Sequence, residues 1–232
     1  MRCRAQVPRM LLAAAGVEYT DVRAVDANHK STGNPGEVPA ESVADTMDWN
    51  LGRMPICEAD GVAIGQGGSI ARFLASTYGL NGASLVERGQ IDSICEALGE
   101  LKSAFRGAED KALFFDDETA GDYSGVAVRE TRPQRAAKWY AGRLEGLVGD
   151  GGIAVGSSLS LADAMIYNTL KENSPPEESP DMGDARRYPF GGMKDKADEL
   201  LAAHPKLSAI CDAVAANPGI AKHLATRGAQ GF

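Results

Sequence analysis

Apolar and polar residues follow two different rhythms along this 232-residue chain, and the change of rhythm divides it. Near the start, Pro8-Arg9-Met10-Leu11-Leu12-Ala13-Ala14-Ala15-Gly16 reads as a helix stopped by glycine. Val17-Glu18-Tyr19-Thr20-Asp21-Val22-Arg23 alternates with a period of two and predicts a strand. Residues 26–48 are polar and rich in glycine, proline and acids, which predicts a long loop. Two short apolar runs, 55–58 and 62–64, flank Asp60-Gly61, a strong hairpin signal. Pro55 opens the first run, where a missing N–H is tolerated. A helix follows from Ser69 to Ser76, and Tyr78-Gly79-Leu80-Asn81-Gly82 reads as a linker.

Beyond the linker the period is helical throughout. From Glu87 to Glu109 the apolar residues Ile91, Ile94, Cys95, Leu98, Leu101 and Phe105 recur every three or four positions. A second helical region covers about 119–148, interrupted near Pro133. Ser160-Leu161-Ala162-Asp163 has the spacing of a capping box and opens an apolar helix through Leu170. Residues 173–192, rich in proline, acids and glycine, read as a loop. A last helix follows His204-Pro205-Lys206-Leu207, and Pro218 marks a break before a final short one. The pattern predicts a small domain with strands over residues 1–80 and an all-helical domain over 81–232.

Composition narrows the function. The chain is 44% hydrophobic and 24% charged, which is globular. Its net charge of −8, with no long basic run, argues against a nucleic-acid partner. No apolar stretch approaches the roughly 20 residues a membrane helix needs. Met1-Arg2-Cys3-Arg4-Ala5-Gln6 does not open a signal peptide. Cys3, Cys57, Cys95 and Cys211 are scattered without a CxxC pair, and His29, His204 and His223 lack metal spacing. Neither a zinc site nor a disulfide scaffold is expected, and a reducing, cytoplasmic compartment is the default. An organellar stroma or matrix stays open through a transit peptide removed upstream.

The densest signal is Arg53-Met54-Pro55-Ile56-Cys57-Glu58-Ala59-Asp60-Gly61 followed by Gly65-Gln66-Gly67-Gly68-Ser69. A proline-opened strand, a tight turn and a Gly-rich elbow lead into a helix. With Arg2-Cys3-Arg4-Ala5-Gln6 before the first helix, Gln90-Ile91-Asp92, the Ser160–Asp163 box and Pro205-Lys206-Leu207, this order resembles sigma-like cytosolic glutathione transferases over nearly the whole chain. The resemblance implies a thioredoxin-like α+β N-terminal domain and an all-α C-terminal domain. It implies glutathione as co-substrate, no metal, a hydrophobic small-molecule partner and a homodimer. It implies a cis peptide before Pro55, with the Met54 backbone pairing the cysteinyl part of glutathione like an added strand. Gln66 and Gly67, at the N-terminus of the next helix, would meet the γ-glutamyl carboxylate, which unpaired N–H groups favour. Asp92 of a second subunit would bind the α-amine. Arg4 would lower the thiol pKa by opposing its charge, and Arg53 would serve the glycyl carboxylate. Without the resemblance, Gln66 and Asp92 read as ordinary exposed polar residues, and the aromatics Phe105, Phe114, Phe115, Trp139 and Tyr140 read as core or as a pocket wall, core first.

Three departures set expectations of their own. The family's first β-strand and its thiol-binding tyrosine fall before Met1, so the first strand is apparently missing from this sequence. Residues upstream of Met1 are expected to supply it, with a strand donated by a partner as the alternative. Gly67 stands where the family has serine, which removes a hydroxyl contact worth about 1.5–3 kcal/mol to a charged group. The tryptophan and lysine for the glycyl end are out of register, with Trp49 nearby but displaced. Three functions therefore stand open: conjugation of glutathione to a small hydrophobic electrophile; a non-catalytic structural or binding subunit of a larger assembly; and thiol transfer by Cys3 at a helix N-terminus.

Overall fold

The computed structural model describes residues 5–25, 36–108, 113–115, 136–172, 190 and 193–227. Helix α1 (Gln6–Ala14) buries Val7, Met10 and Leu11, three or four residues apart. Met10 and Leu11 are wholly buried, each contributing about 1.5–3 kcal/mol of hydrophobic stabilisation. Gly16 ends the helix in the left-handed region at φ +66°, donating to Ala13 O, while Val17 N donates to Leu12 O.

The strand expected over 17–23 is displaced. Strand β1 is Arg23–Val25 and pairs in parallel with β2 (Glu37–Pro39). Residues 17–22 are committed elsewhere. Val17 closes the α1 cap, and Asp21 takes both guanidiniums of Arg9 and Arg23, at 2.7 and 3.0 Å. Burial alone would raise the Asp21 carboxyl, but the two arginines outweigh it and hold the group below the usual carboxylate range.

Of the expected loop over 26–48, residues 26–35 lie outside the described residues, and 36–48 hold more order than their composition suggests. After β2 come a 3₁₀ turn (Ala40–Val43), a single-turn helix α2 (Ala44–Met47) and a second 3₁₀ turn (Asp48–Asn50). Local side-chain bonds from Ser42 to Pro39 O and from Thr46 to Val43 O support them, and no apolar stripe announces them. Strands β3 (Ile56–Ala59) and β4 (Val62–Gly65) form the antiparallel hairpin, turned by Asp60 (φ 52°) and Gly61 (φ 75°). Among the described residues the two strand pairs are not hydrogen-bonded to each other.

Helix α3 (Gly67–Thr77) leads to α4 (Leu85–Gly107), capped by Ser84 and braced by Glu87 accepting from Ala83 N. The expected stripe from Ile91 to Phe105 is buried. Phe105, Phe114, Phe115 and Phe190 meet edge to face with centroids 5.2–6.2 Å apart, which makes them core, and Phe115 also lines a cavity with Leu200 and His204. Tyr140 is buried, and Trp139 is half-buried beneath the Arg143 guanidinium. Residues 119–135 and 173–189, read as helix and loop, lie outside the described residues.

The remaining helices are α5 (Ala137–Leu147), α6 (Leu161–Leu170), α7 (Lys194–Ala202), α8 (Pro205–Ala216) and α9 (Pro218–Thr226). The capping box forms as read: wholly buried Asp163 accepts from Ser160 N, Ser160 Oγ and Ala154 N at 2.6–2.7 Å. The sequence pattern does not predict helix α7, because only Ala197, Leu200 and Leu201 of its nine residues are buried. Helix α1 packs against α3, α6 and α9. The α9 contact is so close that a Cβ on Gly219 would collide with the Ala13 carbonyl. Among the described residues no helix is long and apolar enough to cross a membrane.

Candidate functional site

The hairpin brings the two densest sequence signals face to face. Its ladder ends on the pair Ile56–Gly65, so Pro55 and Gln66 flank the same end of the hairpin. The Met54–Pro55 peptide is cis, as the resemblance implies. Pro55 is buried and Met54 half-buried, and Met54 lies outside the hairpin ladder. Arg53 is exposed, and both its N–H and its Nε donate to the Asn50 carbonyl, at 3.2 and 3.4 Å.

Gln66 is the N-cap of α3 and adopts φ 64°, ψ 120°, a conformation that a residue with a Cβ rarely takes. It is exposed, and its carbonyl accepts from Ile70 N at 2.9 Å. The α3 N-terminus has no side-chain cap and no acid in its first turn. Its leading N–H groups, from Gly67, Gly68 and Ser69, have no intrahelical carbonyl to donate to, an arrangement that suits an anion. Gly67 offers them no hydroxyl.

Asp92 is exposed on α4 and accepts from Arg72 Nε at 2.5 Å; Glu96 takes another nitrogen of the same guanidinium. Asp92 foremost, then Glu96, hold Arg72 in its charged form against burial. Arg72 in turn lies beside the α3 N-terminus: a Cβ built on Gly68 would be 3.1 Å from Arg72 Nη1. Arg53, Met54 and Pro55 lead into one strand end and Gln66 and Gly67 leave the other, while Asp92 reaches the α3 N-terminus through Arg72. Arg4 and Cys3 lie outside the described residues. Trp49 is exposed on the turn before Arg53. Cys95 and Cys211 are buried, and burial pushes both thiols up to about 12, which leaves them poor nucleophiles. No local spacing in the sequence marks Arg72 or Asn50.

A parallel strand pair, an antiparallel hairpin entered by a cis proline, and a helical domain behind them form the glutathione transferase fold. The model for the C-terminal domain of glutathione S-transferases matches residues 112–227, which is 116 of the 232 residues, and the chain belongs to the glutathione transferase family. S-crystallin 2 of Enteroctopus dofleini is 26% identical over 100% of this chain and 95% of its own length. Hematopoietic prostaglandin D synthase of Gallus gallus is 34% identical over 47% of this chain and 48% of its own. Among solved structures, monomeric Na-GST-3, a glutathione S-transferase from Necator americanus, superposes with a TM-score of 0.65 at 21% identity, covering 100% of this chain and 96% of that one.

Proposed function

We propose that this chain binds glutathione and conjugates it to a small hydrophobic electrophile. The observation that carries the reading is Gln66, held at a positive φ at an uncapped helix N-terminus, next to the same end of the hairpin that Pro55 enters. Strain of this kind persists where the surrounding structure needs one side chain aimed at one place. The γ-glutamyl carboxylate would sit on the α3 N–H groups, with Gln66 bonding the same end and Met54 pairing the cysteinyl backbone. Arg53 would meet the glycyl carboxylate, and Arg4 would favour the thiolate. In a homodimer, Asp92 of one subunit would bind the α-amine of glutathione in the other, sharing its carboxylate with Arg72. Residues 1–80 would act as the glutathione-binding domain and residues 81–232 as the helical domain. In the reaction, thiolate sulfur donates a lone pair to the electrophilic carbon and a C–S bond forms. The leaving group departs with its bonding pair, and the thiol proton passes to solvent. The same reading places the protein in the cytoplasm, which cell fractionation would test.

A second reading is a non-catalytic subunit, within a larger assembly, that keeps the fold. It is favoured by Gly67, which lacks the family hydroxyl, and by end-to-end relatives named S-crystallins, a name that denotes no reaction. Titration calorimetry with reduced glutathione and a chloronitroarene conjugation assay separate the two. Binding weakened by Gln66→Ala and strengthened by Gly67→Ser, together with turnover, supports the transferase. Binding without turnover supports the second reading, and no binding by any form removes the glutathione site altogether. Light scattering adds a check, since a stable monomer would end the cross-subunit role of Asp92.

A further inference from the structure

We propose that Asn50 is a positioning residue that ties both halves of the glutathione-binding surface together; this rests on the glutathione reading above. Asn50 is 2% exposed, although its neighbours Trp49 and Leu51 are among the most exposed large apolar residues described. Its Nδ2 donates to the Pro55 carbonyl at 3.2 Å, and its own carbonyl accepts the Arg53 N–H. Between those two bonds the chain reverses through Leu51 (φ 55°) and Gly52 (φ 72°), two consecutive left-handed residues. Asn50 thus fixes the short arc that ends in Arg53, Met54 and Pro55.

The same residue touches the other half of the site. Gly65 immediately precedes Gln66, and a Cβ on Gly65 would strike the Trp49 carbonyl and fall 2.9 Å from Asn50 Cβ. The arc therefore packs flush against the end of β4, where Gln66 takes its positive φ. Asn50 thus both bonds Pro55 and backs the Gln66 elbow. A displacement of this side chain would change the spacing between the Met54 backbone and the α3 N-terminus, which must contact one ligand at once.

The side chain is not there for its own satisfaction. Asn50 Oδ1 is buried without a hydrogen-bond partner, a cost that an apolar residue would avoid. Asn50→Leu exchanges one unpaired acceptor, Oδ1, for another, the Pro55 carbonyl. Its thermal midpoint is expected to stay near that of the natural chain, while its grip on the arc is lost.

The test uses the full chain as the natural form, Asn50→Leu and Asn50→Asp, the last keeping the volume while placing an acceptor against the Pro55 carbonyl. Titration with reduced glutathione should show Kd about tenfold weaker for both variants, the loss of roughly one well-made hydrogen bond. KM for glutathione should rise in step, with KM for the chloronitroarene and saturated kcat within twofold. Kd for both variants within twofold of the natural chain overturns the inference, as does an equal loss in both KM values and kcat, the mark of general disruption. Should Asn50→Leu fail to fold, Asn50→Asp decides by the same criterion. If the natural chain does not bind glutathione, the proposed function falls with it. If the natural chain binds and the variants bind equally, only the role of Asn50 falls.

Discussion

Replacing Gln66 by alanine and, separately, by glycine isolates the backbone strain at the candidate site. Both variants lose the same side-chain amide; they differ only in the Cβ. At an ordinary position glycine is the less stable choice by about 0.5–1 kcal/mol, because the unfolded chain gains freedom. At φ 64°, ψ 120° the Cβ carries a conformational cost of about 1–3 kcal/mol, which alanine retains and glycine removes. The difference leaves Gln66→Gly more stable than Gln66→Ala by about 1 kcal/mol, with a range of about 0–2.5. For a chain of this size that corresponds to a midpoint about 2–4 °C higher, measurable by scanning calorimetry and by urea unfolding with unchanged slope. Glutathione affinity should fall similarly in both, since neither keeps the amide. Alanine more stable than glycine by 0.5 kcal/mol or more, the ordinary order, would refute the claim that strain is stored at this elbow.

Two further outcomes test the scaffold. Asp163→Ala strips the acceptor from Ser160 N, Ser160 Oγ and Ala154 N. Burial pushes the Asp163 carboxyl up despite those donors, so part of the loss is offset. The net cost should be about 2–4 kcal/mol, or about 5–15 °C in midpoint, read by urea unfolding. His223 is the second. Burial, then Arg227 and Arg9, lower it from 6.5 to about 4, and Gln6 Nε2 donates to its Nε2, which requires the neutral ring. Between pH 4 and 6.5 the unfolded chain binds the extra proton, so stability is full above about 6.5 and declines as pH falls toward 4. The gap allows at most about 3.4 kcal/mol; for a half-buried ring, screening reduces it to about 1–2. Unfolding curves of His223→Leu should lack that decline.

What could be read from the sequence was what is local. Asp60-Gly61 specifies its own turn, the α4 stripe its own buried face, and Ser160 with Asp163 its own cap. The 3₁₀ turns around α2 rest on single side-chain bonds, and α7 buries too little to show a period. Strand β1 was misplaced because alternation over 17–23 gives no information about where a partner strand lies. In the candidate site, Pro55 and Gln66 were legible only through family likeness; the positive φ of Gln66 has no sequence signature. Asn50 and Arg72 stayed hidden because their roles depend on groups brought near by folding, Pro55 and Gly65 for one, Asp92, Glu96 and Gly68 for the other.

The seat of α1 has a consequence for how the chain is made. Its buried face is completed by α9, and the Gln6–His223 bond spans 217 positions. A nascent chain that has emitted the hairpin and α3 still lacks α6 and α9, two of the three helices that cover α1. The segment around residue 80 is bridged as well, by Leu161 N donating to Leu80 O. The N-terminal half therefore completes its packing only once Leu161–Leu170 and Pro218–Thr226 have been made and have folded against it. A ribosome stalled short of α9 would hold a chain whose N-terminal half remains accessible to protease and chaperone alike.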